Sequence, residues 1–330
     1  MAALVTATGG RLVHRRVTGP LPEMKVDATF GIVGDGTTAV IEMAAASGLA
    51  LLPTQDRNPL NTTTFGTGEL LNAAVELGVR RIILGIGGSA TIDGGIGCAQ
   101  ACGHTIVLED GEPVSITEPL VGADLSRVVM VKRHRGEKTD RVKITVASDV
   151  TNPLFGENGA AVVFGPQKGA TPEQVRELDA ALRQLATRNG RLDLAGQPGA
   201  GAAGGLGFGM MAFFGAEMRC GIDIVLETTD LRRRLEGADL CITGEGRLDA
   251  QSLGGKAVIG VASVCGEVGV TCIALAGTVA RDMDGADVDG LTACFSICDG
   301  PKTMEHAIAD TPRLLSSSAA NVLRLWRAAK

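Results

Sequence analysis

Three glycine-dense segments are the places where this sequence is best equipped for chemistry. They are GIGGSATIDGG (85–95), PGAGAAGGLG (198–207) and TGEGRLD (243–249). Glycine lets the backbone approach a ligand closely and adopt a positive φ without a Cβ clash. The first and third segments follow apolar, strand-like runs, which puts free amide groups and a helix N-terminus where an anion can sit. The pattern therefore predicts an enzyme that handles phosphate.

The first segment carries polar side chains beside its glycines. Ser89 and Thr91 supply hydroxyl groups, Asp93 supplies a carboxylate, and Gly87 and Gly88 supply free amides. Hydroxyl and amide donors in one loop suit a phosphate or a hydroxylated substrate. The two glycines and the two hydroxyls are therefore predicted to bind the cofactor, and Asp93 is a catalytic candidate.

Two other interpretations of this segment stay open. Gly85, Gly87 and Ala90 fit the pattern G-x-G-x-x-A, which between a strand and a helix is typical of dinucleotide binding and would indicate an NAD(P)-dependent oxidoreductase. A tight turn in which Asp93 caps the following helix explains the composition equally well.

The third segment and the residues after it hold the densest group of polar side chains. The binding candidates are Gly244, Glu245 and Gly246, and the catalytic candidates are Arg247, Asp249 and Lys256. Arginine and lysine can neutralise a transferring phosphoryl group. A carboxylate can hold Mg²⁺ or accept a hydroxyl proton. The alternative is a surface ion-pair network around a helix start.

Two oxygen-bearing side chains follow the buried-type strand KITVAS. Asp149 and Asn152 lie just after this run, in SDVTNPLFG. Mg²⁺ needs only one or two protein oxygen ligands because it keeps several waters, so both residues are metal candidates. Asx residues before a proline are also common turn formers, and that alternative remains.

A lysine loop and the second glycine segment complete the candidates. Lys168 lies between two glycines in FGPQKGAT, ahead of a helix, where it can meet phosphate. The segment PGAGAAGGLG can act only through backbone amides, and its cofactor-binding candidates are Gly201, Gly204 and Gly205. The alternatives are a solvated lysine and a mobile hinge.

The elements that must position these residues alternate between strand and helix. TPEQ at 171–174 predicts a helix N-terminus with a capping box. TIVLEDGEPVSI (105–116) predicts a hairpin, and 131–141 predicts a charged loop. The last third reads as parallel βαβ units in which TGEGRLD forms a loop at a strand end. Ligands in such sheets bind beyond the carboxyl ends of the strands.

Composition excludes several function classes. The 330 residues predict about two domains, and 45% hydrophobic with 21% charged residues indicates a globular protein. A net charge of −6, one Trp and no Tyr disfavour nucleic-acid binding, and no apolar run has membrane-spanning length. The eight cysteines form no C-x-x-C pair, which favours free, buried thiols in a reducing cytoplasm over a zinc site.

The motifs together strongly resemble the bacterial glycerate kinase family. The segments that carry the resemblance are EMAAASGL, TTTFGTGEL, GIGGSATIDGG, SDVTNPLFGENGA, FGPQKGAT, PGAGAAGGLG and ITGEGRLDAQSLGGKA. The resemblance covers essentially the whole chain. It implies ATP- and Mg²⁺-dependent phosphorylation of D-glycerate to 2-phosphoglycerate by a cytoplasmic enzyme.

The resemblance also implies an α/β fold with two domains and an active site in the cleft between them. A Rossmann-like parallel layer would comprise residues 1–8 and 230–330, and residues 9–229 would form an inserted α/β domain. Two departures stand out: the sequence starts after the family's usual first strand and its acidic, glycine-rich motif, and Ile92 stands where the family has an amide side chain.

The late start motivates a further alternative, a catalytically impaired homologue that only binds ligand. Because a missing central strand exposes unpaired edges, self-association into a homo-oligomer is also expected.

Overall fold

The computed structural model describes residues 1–114, 117–133, 138–249, 257–283 and 288–329. The strands of this part of the chain are β1 (Arg11–Thr18), β2 (Lys25–Ile32), β3 (Thr38–Glu42), β4 (Arg81–Gly85), β5 (Thr105–Leu108), β6 (Val128–Lys132), β7 (Lys143–Ala147), β8 (Glu217–Arg219), β9 (Leu240–Leu248), β10 (Thr271–Val279) and β11 (Ala293–Ser296). Its helices are α1 (Ala2–Ala7), α2 (Ala44–Ser47), α3 (Phe65–Glu76), α4 (Ile96–Ala101), α5 (Ala160–Phe164), α6 (Pro172–Arg188), α7 (Leu192–Ala195), α8 (Leu206–Phe214), α9 (Gly221–Thr228), α10 (Leu231–Arg234), α11 (Ala257–Val268), α12 (Met304–Ala309) and α13 (Thr311–Ala329).

The chain forms two compact units, Met1–Gly221 and Ile222–Lys330. Both contain parallel strands and helices, which confirms the predicted α/β class with two units. Among the described residues, none of the helices combines the length and the apolar character that a bilayer crossing requires.

A six-stranded sheet in the order β1-β2-β3-β4-β7-β8 organises the first unit. The first three strands pair antiparallel, whereas β3, β4, β7 and β8 pair parallel. Alternate residues of β4 and β7 are buried, as the period of two in a half-covered strand requires. Because the parallel strands point the same way, the loops after β4, β7 and β8 emerge at one edge of the sheet.

Helix α6 begins where the sequence predicts. The Thr171 hydroxyl accepts a hydrogen bond from the Gln174 amide, the Gln174 side chain accepts one from the Thr171 amide, and Pro172 opens the helix. Leu178, Leu182 and Leu185 turn its apolar face into the core. Ile92 is also fully buried in this core, so the apolar residue at the position of the family's amide contributes packing.

The predicted hairpin at 105–116 forms its turn near Gly111 but is not the main partner of β5. Within the described residues the returning chain makes an antiparallel bridge between Val107 and Pro113 and a hydrogen bond from the Val114 amide to the Ile106 carbonyl, whereas β5 pairs antiparallel with β6 as a ladder. Val131 and Lys132 therefore belong to a strand and not to the predicted charged loop. Pairing with the more distant segment completes a longer ladder, which turn signals alone do not reveal.

The second unit contains the three-stranded parallel sheet β11-β10-β9. Helix α11 connects β9 to β10 and packs on both, and α13 packs on β10. Strand β9 runs to Leu248 and pairs with β10 along this length, so most of TGEGRLD is strand and not the predicted loop.

The predicted domain assignment differs from this division at the chain start. The sequence predicts residues 1–8 in the C-terminal domain, whereas Leu4 packs against Val33 and Val40 of the first unit. The other boundary falls at 221/222 instead of 229/230.

Candidate functional site

A cavity of about 550 Å³ lies at the carboxyl ends of β4, β7 and β8 in the first unit. The loops after these three strands form one wall, and the segments after α5 and before α8 form the other. The predicted site residues that line it are Gly87, Gly88, Ser89, Asp149 and Lys168. Five residues from three separate motifs thus meet where ligands bind in sheets of this kind.

A larger cavity of about 910 Å³ lies elsewhere in the first unit, against Lys132, Arg188 and Met218. None of the described residues that line it belongs to the predicted set. The smaller cavity is therefore the candidate site.

The loop after β4 presents an open backbone to the candidate cavity. Gly88 has a φ of +74°, the left-handed conformation that favours glycine. A Cβ on Gly87 would meet no atom within 4 Å, so this glycine faces free space. Ser89 forms a bridge to Gly48, which fixes the loop from behind.

Lys168 is the buried cation of the candidate cavity. Its side chain is only 2% exposed, and its Nζ donates hydrogen bonds to Ser89 Oγ at 2.6 Å and to the Thr91 carbonyl at 2.8 Å. Burial lowers the pKa of this amine to about 7, against the opposing attraction of Asp93. The predicted solvated alternative is therefore wrong, and an anion in the cavity would stabilise the charged amine.

The turn after Lys168 depends on Gly169. Its φ is +89°, and a Cβ there would lie 2.1 Å from the carbonyl oxygen of Arg57. Only glycine fits this approach, which explains why the sequence places glycine directly after the lysine.

Asp149 lies at the end of β7 and is exposed. Its Oδ1 accepts hydrogen bonds from the Gly221 amide at 3.0 Å and from Cys220 Sγ at 3.1 Å. These contacts orient the carboxylate at the cavity wall. Asn152 is not among the residues that line the cavity, and its side-chain amide donates to the Asn158 carbonyl at 2.8 Å. This hydrogen bond fits the turn alternative, and the metal role of Asn152 stays a prediction.

Asp93 and Thr91 are fully buried. Asp93 accepts hydrogen bonds from the Thr64 amide and hydroxyl and from the Gly95 and Gly97 amides. Burial raises the pKa of its carboxyl group, and these hydrogen bonds oppose the rise. Asp93 therefore ties two loops together and is not available to touch a substrate, which corrects its prediction as a catalytic residue. Thr91 contributes its carbonyl to Lys168, and its buried hydroxyl has no hydrogen-bond partner among the described residues.

The glycines of the second segment are packed against backbone. A Cβ on Gly201 would lie 2.1 Å from the Pro153 carbonyl oxygen, and one on Gly204 would lie 1.9 Å from that of Thr91. Gly205 is enclosed by Leu154, Gly94 and Leu182. These three glycines serve close packing, which does not fit the alternative of a mobile hinge. The Gly201 amide is not open, because it donates to the Asn152 carbonyl at 2.9 Å.

Sequence reasoning missed several cavity-lining residues, among them Ala203, Gly221 and Gln167. Ala203 lies in the left-handed region with a φ of 55°, and only its glycine neighbours signalled such a turn. Gly221 follows β8, a strand of three residues that is too short to show a period. Gln167 stands beside Lys168 in the motif and had no distinguishing feature.

The candidates of the second unit lie on and after β9. Arg247 donates from Nε to Asp249 Oδ2 at 2.9 Å, with the arginine side chain largely exposed and the aspartate mostly covered. Glu245 Oε2 is buried and finds no hydrogen-bond partner among the described residues. Gly244 approaches the Leu275 carbonyl closely, whereas Gly246 faces open space. Lys256 lies outside the described residues.

The geometry does not support the dinucleotide interpretation. A dinucleotide turn leads directly into its helix, but here residues 86–95 separate β4 from α4, which has only six residues. Ala90 is 1% exposed and packs in the interior.

Comparisons with known proteins agree on one family. The profile described as the glycerate kinase family matches residues 1–327. A "Glycerate kinase" of Haemophilus influenzae is 45% identical over 327 residues, which is 98% of this chain and 85% of the relative. A "Glycerate 2-kinase" of Escherichia coli is 44% identical over 92% of this chain and 80% of the relative. A crystal structure of a Salmonella typhimurium LT2 protein, assigned as a glycerate kinase 2, superposes with a TM-score of 0.86 at 43% identity, covering 99% of this chain and 86% of that one.

Proposed function

The chain belongs to the glycerate kinase family, and from that membership we propose that it transfers a phosphoryl group from ATP to D-glycerate. The observation that supports the proposal most directly is the cavity that gathers Ser89, Asp149 and Lys168 at the carboxyl ends of parallel strands. No observation on the described residues favours the alternatives, an oxidoreductase or a protein that only binds ligand.

Lys168 and Ser89 would hold an anionic group of the reactants. Burial disfavours the protonated form of the Lys168 amine more than the attraction of Asp93 favours it, so a further negative charge would stabilise the protonated amine. A carboxylate or phosphate in the cavity supplies that charge, and the open backbone at Gly87 leaves room for its approach. Positioning and charge neutralisation are the main tasks of a phosphoryl-transfer enzyme.

The chemistry of Asp149 fits Mg²⁺. The ion requires one or two carboxylates and completes its shell with waters and substrate phosphates. Asp149 Oδ1 is held by two donors, so the carboxylate is oriented before any ion arrives. Mg²⁺, when bound, would neutralise charge on the phosphoryl oxygens.

The predicted residues on and after β9 keep their proposed roles. Arg247 and Lys256 are proposed to bind phosphoryl oxygens, and Asp249 is proposed to accept the proton of the attacking hydroxyl. Glu245 and the glycines around it are proposed to contact the nucleotide. The exposed guanidinium of Arg247 and its ion pair with Asp249 are compatible with these roles.

The 2-hydroxyl is the proposed site of phosphorylation, since one relative is named for that position.

We further propose that the reaction takes place in the cytoplasm, where ATP is abundant. All eight cysteines are thiols without a disulfide bond, as the sequence predicts. Four of them are buried, namely Cys98, Cys102, Cys265 and Cys272.

An enolase-coupled assay tests the proposal. Enolase dehydrates 2-phosphoglycerate but not 3-phosphoglycerate, so ATP plus D-glycerate should give a signal without added mutase. No phosphorylation of glycerate by the wild-type chain would overturn the function. A product that requires the mutase would overturn only the position of transfer.

The variant Lys168→Met tests the site separately from the function. Loss of one preorganised charged donor should lower kcat/KM by about 10²–10³-fold. Lys143→Met is the matched control because Lys143 lies at the amino end of β7, is largely exposed and pairs only with Glu217 among the described ion pairs. Its kcat/KM should stay within about twofold of wild type. Full activity in a folded Lys168→Met chain would remove this cavity from the mechanism.

A further inference from the structure

Three cysteines from three different elements of the second unit converge on one point. Cys241 lies on β9, Cys265 on α11 and Cys272 on β10. Their sulfur atoms all lie within 4.8 Å of one another. Cys241 and Cys272 are neighbours in the register of the parallel sheet, and Cys265 reaches them from the helix that covers it. All three are free thiols.

This cluster differs from the other cysteines of the chain. Cysteine often packs singly as a small apolar side chain, and Cys294 does so on the neighbouring strand β11. Here a third sulfur joins a cross-strand pair. In the part of the chain that the structure describes, this is the one group of three metal-ligating side chains with such spacing.

We propose that Cys241, Cys265 and Cys272 bind one thiophilic d¹⁰ metal ion, with Zn²⁺ as the cellular candidate. A Zn–S distance of about 2.3 Å places the sulfurs of a three-thiolate site about 3.8–4.0 Å apart. The sulfur–sulfur distances, which are at most 4.8 Å, would have to shorten by no more than about 1 Å. Rotation of the cysteine side chains can supply this change. Solvent or a small anion fills the fourth position.

The proton balance of binding follows from burial. Burial raises the pKa of all three thiols, to about 11 for Cys241 and Cys272. Without an ion the thiols are therefore protonated at neutral pH. Each thiol that becomes a ligand releases its proton to solvent, since a bound dication deprotonates a coordinating thiol.

The cluster has a partly exposed member and a neighbouring cavity. Cys241 is partly exposed. A cavity of about 360 Å³ is lined by Cys265 together with Thr271, the residue before Cys272. Once bound, the ion would link β9, β10 and α11, and so stabilise the sheet whose strand β9 carries Arg247.

Titration with Cd²⁺, a spectroscopic stand-in for Zn²⁺, tests the proposal on the full chain after reduction and chelation. We expect a sulfur-to-cadmium charge-transfer band that saturates at one ion per chain. Cys241→Ser should weaken binding at least tenfold, and Cys294→Ser should bind as wild type does. Absence of the band, or an unchanged band in Cys241→Ser, would overturn the site.

A second measurement does not depend on how well the variants fold. In the wild-type chain under mild denaturation, Zn²⁺ should protect three thiols from a thiol-reactive dye and should raise the unfolding midpoint. Equal dye reaction with and without Zn²⁺ would overturn the proposal. Because neither readout involves glycerate or ATP, failure here leaves the proposed kinase activity untouched.

Discussion

Residues 85–95 and 198–207 of the first unit are similarly rich in glycine but differ in what their glycines face. A Cβ on Gly87 would meet no atom within 4 Å, whereas one on Gly204 would lie 1.9 Å from the carbonyl oxygen of Thr91. The two segments are in direct contact, because the Gly94 amide donates to the Gly204 carbonyl at 3.1 Å. Both segments line the cavity, the first with the open backbone at Gly87 and the second with Ala202 and Ala203, but the glycines of the second segment pack against their neighbours.

The difference shows that glycine content alone does not distinguish a ligand loop from a packing loop. Both roles require the absence of a Cβ, in one case for a ligand and in the other for a neighbouring carbonyl. The side chains beside the glycines separate them: Ser89 borders the cavity in the first segment, whereas the second offers only small apolar residues.

The largest effect should come from Gly204→Ala. The new methyl group would collide with Thr91 and would also hold a left-handed backbone at a φ of +67°. Strain and overpacking together should lower the free energy of unfolding by roughly 2–5 kcal/mol, measured by chemical denaturation. Gly87→Ala is the matched control and should change it by less than about 1 kcal/mol. Equal losses in the two variants would erase the distinction between the segments.

A moderate effect should appear in the pH dependence of ligand binding at the open segment. Lys168, which holds Ser89, has a pKa lowered to about 7 by burial, with Asp93 opposing the shift. As pH rises through about 7 the amine loses its charge, so KM for the anionic reactant that it holds should rise. Steady-state kinetics from about pH 6 to about pH 9 measures this change.

Rising pH should weaken ligand binding through Lys168, but it should increase the stability of the folded protein through the same group. Between about pH 7 and about pH 10 the unfolded chain keeps a proton on Lys168 that the folded chain has released, so this group makes stability rise with pH.

The variant Lys168→Arg tests whether Lys168 causes the rise in KM. Its guanidinium stays protonated, so the rise in KM should disappear. A wild-type profile that persists in a folded Lys168→Arg chain would assign the effect to another group.

The smallest effect should come from Ala203→Gly in the packed segment. Ala203 has a φ of 55°, which costs about 1 kcal/mol for a residue with a Cβ. Glycine removes this strain but loses more backbone entropy on folding, so the net gain in unfolding free energy should stay below about 1 kcal/mol. A loss of more than 1 kcal/mol would show that the methyl group contributes packing that exceeds the strain.

Local signals predicted the parts of the fold that depend on local chemistry. The capping box at Thr171 and the strands that lead to the first glycine segment and to Asp149 were predicted correctly, because caps and periods are short-range properties. The residues after these two strands indicated Ser89 and Asp149, and the glycine-flanked loop before α6 indicated Lys168; the structure brings all three together.

Long-range partners determined the features that the sequence did not predict. Asp93 resembles an active-site carboxylate until Thr64, far away in the chain, is seen to donate two hydrogen bonds to it. Strand β9 extends through its glycines because β10 pairs with it up to Leu248. The three cysteines lie on a strand, on the following helix and on the next strand, and only the fold of the second unit brings their sulfurs together.

The cavity draws its residues from widely separated positions, from Leu49 to Gly221. Contacts between such distant positions form late and slowly, since long loops must close before any favourable interaction compensates their entropy. A nascent chain therefore cannot capture its ligands until nearly the whole first unit has been synthesised. Ligand added during refolding should stabilise the end product without accelerating the early steps that lead to it.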